Sequence, residues 1–178
     1  MNSTHIHMLL NHFPIIGTII GSTLLLWGII KNQQNLKTTS AALLAIMAAI
    51  AIPVFLTGEP AEETVEKING VSETMIELHE DAAKIAIWIM EITGLLALIS
   101  IFFSRKNYRV AKTLFVSTLL FSILSFAAMA RTGYYGGQIR HTELSPNDNA
   151  TIIEQNASQE SGAIKEKKKN KEEKEDDD

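Results

Sequence analysis

Five histidines, His5, His7, His12, His79 and His141, are the residues of this chain best suited to chemistry. Imidazole is the commonest metal ligand and accepts a proton near neutral pH. Three of them lie in HIHMLLNHFP, one in ELHEDAAK and one at the end of ARTGYYGGQIRHTE. No segment makes a ligand site by itself. If a helix begins near Ser3, His7 and His12 are five residues apart and on different faces. His5 and His12 then share a face but stand two turns apart. ELHEDAAK offers Glu77, His79, Glu80 and Asp81, yet it is not HExxH or another recognised metal spacing. A shared ligand therefore needs histidines from several segments. The ordinary alternative, for any one of them alone, is a polar residue meeting water and headgroups.

Other residues qualify in the same way. Arg131 and Arg140 can bind a carboxylate, a phosphate or a haem propionate bidentately. Between them Gly133, Gly136 and Gly137 allow positive φ or close backbone approach. Read structurally, that stretch is a helix C-cap and a turn folding back over the end of a bundle. Glu91 lies about nine residues into an apolar stretch, as a functional acid facing the interior or as a carboxylic acid joining helices. Thr18, Ser22, Thr93 and Ser117 are its candidate partners.

Four apolar stretches must position these groups. A crossing needs roughly 20 apolar residues at about 1.5 Å rise each. The spans are placed at about 13–30, 41–57, 82–103 and 110–131, in a chain of 178 residues that is 46% hydrophobic. Two of them, AALLAIMAAIAIPVFLT and TLFVSTLLFSILSFAAMA, lack the polar stripe that a helix of a soluble bundle keeps. The N-terminus has no Lys/Arg region and no small-residue cleavage site, so the first span is expected to stay. With four spans, the starts of odd spans and the ends of even spans share one face. All five histidines gather there. The expected fold is all-α: a four-helix transmembrane bundle over residues 1–144, with short outer helices, and a disordered charged tail over 145–178.

Charge orients the bundle. Lys31 and Lys37 lie in one short loop, and Arg105, Lys106, Arg109 and Lys112 in the other. Positive charge in short loops marks the cytoplasmic side. Both termini are therefore placed outside, in the periplasm of a bacterial inner membrane. The outer loop 58–81 holds Glu59, Glu62, Glu63, Glu66, Glu73, Glu77, Glu80 and Asp81. Pro60 suits the first turn of a short helix, Asn69-Gly70 breaks it, and a second helix runs straight into span three. Gly17 and Gly21 make a close-packing motif, within or between chains. Asn2, Asn149 and Asn156 open N-x-S/T triplets, matches frequent by chance.

His7–Pro14 (HxxxxHFP), Thr57–Glu59 (TG and an acid), His79 before span three and Gly136-Gly137 resemble an uncharacterised group of bacterial four-span membrane proteins. That group usually opens with His-Pro; here Met8 stands in place of the proline and His5 is additional. Its GG motif usually continues into Val-Tyr; here it continues as Gln138-Ile139-Arg140-His141. The resemblance spans roughly residues 5–141. It carries no activity over. It implies respiratory or redox partners and b-type haem ligation by the outer histidines, matched here by His7, His12 and His79, and less closely by His141.

Three functions fit. The first is b-type haem binding for electron transfer, with His7, His12, His79 and His141 as ligand candidates and Arg131 and Arg140 toward the propionates. The second is a divalent Zn or Cu site of His7, His12, His79, Glu59 and Glu80, with His141 as a further donor. The third is a cofactor-free accessory subunit of a membrane complex, or a homo-oligomer. Cysteine is absent, which excludes thiolate ligands, iron–sulfur clusters and CxxCH attachment. No nucleophile–base constellation, phosphate loop or nucleic-acid patch is present, so enzymatic activity is not indicated.

Overall fold

A computed structural model describes residues 3–66 and 71–139. Asn69-Gly70, Arg140, His141, the N-x-S/T triplets and the charged tail lie outside the described residues. Every element is helical: α1 (Ser3–Leu10), α2 (His12–Ile30), α3 (Gln34–Leu56), α4 (Gly58–Val65), α5 (Glu73–Ser104) and α6 (Tyr108–Gln138). There is no strand among the described residues. Four helices are long and apolar enough to cross a membrane. Side chains such as Trp88 (72% exposed) and Leu120 (62%) point outward from them. A surface of that kind suits hydrocarbon and would be a large apolar patch in water. The chain has the architecture of an all-α four-helix membrane protein.

The long helices form a ring in the order α2, α3, α5, α6, with α5–α6 the most extensive contact. Each neighbour runs antiparallel to the next. In lipid, apolar burial does not drive helices together, so small residues and interhelical hydrogen bonds do. Gly17 and Gly21 sit against Met47 and Leu44 of α3, which makes their close-packing motif an intrachain seam. Gly94 of α5 leaves room for Ala48. Hydroxyls meet between helices at Ser22–Ser122 (2.8 Å), Thr93–Ser125 (2.8 Å) and Ser100–Thr118 (3.0 Å).

Two expectations change, at Lys37 and at the glycines of α6. α3 starts at Gln34, so Lys37 is helical and 4% exposed, not a loop charge. The turn before it is tight because Asn32 takes positive φ (51°) in a Schellman motif, with Gln33 N–H on Gly28 O and Asn32 N–H on Ile29 O. α2 uses no side-chain cap at Asn11; α1 runs into it nearly without a break. α6 continues through Gly133, Gly136 and Gly137 to Gln138, so these glycines are neither a C-cap nor a turn. Of the three, Gly136 serves for close approach, to the His79 ring. Pro60 does fall in the first turn of α4, and α5 runs unbroken from the outer helix into the third span. At 32 residues it is about 48 Å long, against a hydrocarbon core of about 30 Å, so its first turns stand outside the bilayer.

Candidate functional site

The end of the bundle where α2 and α5 start and α3 and α6 finish holds a cleft of about 1060 Å³, including its open mouth. α1 and α4 cover it from outside. Ile15, Ala51, Ala86, Met90 and Met129 make an apolar floor; Glu59, Glu62 and Glu80 stand at its rim. His7 and His79 both line it. One comes from α1 and the other from the outer turns of α5.

Both rings are anchored in the same way. His7 Nδ1 is 3.0 Å from Val54 O, and His79 Nδ1 is 2.9 Å from Thr132 O. A carbonyl only accepts, so each Nδ1 carries the proton and donates. In the neutral imidazole each Nε2 then keeps its lone pair, the arrangement that carbonyl-anchored ligand histidines use. Thr57 Oγ1 adds a second neighbour, 3.4 Å from His7 Nδ1.

A glycine stands beside each ring, and only at Gly136 is the space too tight for a Cβ to enter freely. Gly58 follows Val54 by one turn of chain, and Gly136 follows Thr132 by one turn of helix. A Cβ at Gly58 would lie 3.6 Å from His7 Cε1. A Cβ at Gly136 would lie 3.0 Å from both Cε1 and Nδ1 of His79. The two hairpins thus repeat one device: a histidine at the outer start of the hairpin, a carbonyl near its end, and a glycine four residues later. That pairing was visible in the sequence only as two separate motifs. The signal that would have joined them is a histidine opening, and a glycine closing, each pair of spans.

Electrostatics favour the uncharged ring at His7. Burial pushes its pKa below the ordinary 6.5, with nearby His79 acting in the same direction and the Val54 carbonyl against it. Glu62 is shifted upward, first by burial and then by Glu80, Glu66 and Glu59. Lys84, the nearest base on α5, is engaged with Glu80 (2.9 Å) and Asp81 (3.4 Å). One further polar atom faces this region: Asn11 Oδ1 is buried without a partner, and Asn11 lines the cleft.

The remaining sequence candidates are placed elsewhere. His12 is exposed and bonds its own helix through Met8 O at 3.1 Å, about 140° around the axis from His7. His5 is exposed. Arg131 is exposed too, its guanidinium over the Tyr135 ring at 5.5 Å, and it does not line the cleft. Glu59 and Glu80 do line it, but no three His, Asp or Glu among the described residues stand close enough to hold a metal ion together. Glu91 is half-buried on α5 with one carboxyl oxygen unpartnered. Three of its four expected partners are engaged elsewhere: Thr18 faces Met90 Sδ, Ser22 faces Ser122 and Thr93 faces Ser125.

No family model, curated protein or solved structure matches this chain.

Proposed function

We propose that this membrane protein binds b-type haem at the outer end of its bundle, where His7 and His79 would hold its iron, and serves in electron transfer. One observation carries the reading: two imidazoles from different helices enter one cleft with Nδ1 tied to carbonyls and Nε2 left free. The fit is good at the ligands and the apolar floor. It is poorer at the rim, where Glu59, Glu62 and Glu80 offer no cation to a propionate and Lys84 is engaged. Haem would supply one-electron chemistry. The chain's own residues hold the two rings in one tautomer, exclude water with Met90, Met129 and Ile15, and keep His7 neutral. The periplasmic placement of this end, with respiratory or other membrane-complex partners there, belongs to the same proposal.

A divalent Zn or Cu ion is the second reading, favoured by the carboxylates that share the cleft with the two histidines. It requires those carboxylates to move, since no three donors are grouped.

The test is an absorption spectrum and metal analysis of the full chain purified from cells supplied with haem. Haem at about one per chain is expected, lost in His7→Ala and in His79→Ala and kept in His12→Ala. A colourless protein, or His79→Ala retaining its haem, refutes the reading. Stoichiometric zinc or copper in a colourless protein selects the second.

A further inference from the structure

The opposite end of the bundle contains a cation with no counter-charge among the described residues. Lys37 is 4% exposed, on the first turns of α3. Its Nζ reaches one neutral acceptor, Asn32 Oδ1 at 3.2 Å, and stands over the rings of Tyr108 (5.6 Å) and Phe115 (5.8 Å). An ammonium has three N–H donors, so the single acceptor leaves two to be met. The only ion pairs among the described residues belong to Lys84, at the other end. A buried charge without a partner costs several kcal/mol, so its neighbourhood should supply an anion.

The surroundings are built for one. Lys37 lines a pocket of about 490 Å³, its open mouth included, with Asn32, Tyr108 and Lys112. Lys37 lies in the first turns of α3, Asn32 in the tight turn between α2 and α3, and Tyr108 and Lys112 at the beginning of α6. Two helix N-termini therefore bring partial positive charge to the same place. Neither helix has an acid in its first turn. Asn32 is held there by its positive φ, and its Oδ1 also accepts from Tyr108 OH at 3.1 Å. Gly28 permits the close crossing: a Cβ there would lie 3.0 Å from the backbone nitrogen of Lys37.

We infer that this pocket binds a phosphate group, with the Lys37 ammonium inside and Lys112 at its edge. Its two sources are the headgroup of an anionic phospholipid in the adjoining leaflet and free inorganic phosphate. Basic pockets between spans take lipid headgroups in this way, and Trp27 beside Lys31 (5.3 Å) marks the interfacial level at this end.

The experiment uses the full chain, Lys37→Met and Lys112→Gln. In one arm each is placed in phosphatidylcholine nanodiscs with increasing phosphatidylglycerol, and retained lipid is counted by native mass spectrometry. In the other, thermal unfolding in zwitterionic detergent is followed as inorganic phosphate replaces chloride at equal ionic strength. The unaltered chain should prefer phosphatidylglycerol, and each variant should lose about tenfold of that preference, the value of one charge-assisted hydrogen bond. A phosphate-dependent rise in Tm, absent from Lys37→Met and without lipid preference, supports the site with free phosphate as its source. No difference between the unaltered chain and the variants in either arm overturns it. If Lys37→Met does not fold, Lys112→Gln decides alone, because Lys112 is exposed.

Discussion

Replacing Gly136 by Ala separates the role of the glycine from ordinary helix stability. The new methyl would stand 3.0 Å from two atoms of the His79 ring. That ring must give by a few tenths of an ångström, and the shift strains its 2.9 Å bond to Thr132 O. Losing the bond costs about 0.5–1.5 kcal/mol net. Ala in place of Gly returns about 1 kcal/mol of helix propensity. Global stability should therefore change by less than about 1 kcal/mol, while the ring loses its orientation. Outer-shell hydrogen bonds of ligand histidines are worth about 10–100-fold in ligand affinity. Gly137→Ala is the control, since nothing lies within 4 Å of its added Cβ; it should be neutral or stabilising. The assays are thermal unfolding, haem retention by pyridine haemochrome, and the ring nitrogen signals of ¹⁵N-histidine for the tautomer of His79. If Gly136→Ala matches Gly137→Ala in tautomer and haem retention, the claim that the His79 anchor depends on the space at Gly136 is wrong.

Two other outcomes follow from the packing and the charges. Because the folded chain holds the His7 pKa below 6.5, the folded state binds fewer protons there than the unfolded state. The associated stability is present above 6.5 and is lost as pH falls from 6.5 through the folded value; Tm followed from pH 8 to pH 5 should drop in this window, and His7→Gln should flatten the drop. Gly94→Val would drive a branched side chain into Ala48 of α3, so it should cost about 1–3 kcal/mol by overpacking, measured as a lower Tm in detergent with His7 and His79 untouched.

The spans, their number and the placing of His7 and His79 at one end were legible in the chain alone. Hydropathy is a property of consecutive residues, and parity of crossings requires no knowledge of packing. His7 and His79 do share a cleft, as that parity demands. Which histidines turn inward was not legible. His7 and His12 differ only in helical phase, and phase acquires meaning when α1 meets α3 and α4.

The same limit hid the roles of Lys37 and Gly136 and the hydroxyl pairs that leave Glu91 aside. A lysine near a turn looks like a solvated loop charge until α3 begins three residues before it and Gly28 lets α2 close over it. Gly136-Gly137 looks like a helix stop until His79 occupies the space that a Cβ would have filled. Sequence by itself determined which residues prefer lipid and how many times the chain crosses it. Only tertiary structure decided which polar groups face one another, because a hydrogen bond or a vacant Cβ is a relation between helices distant along the chain.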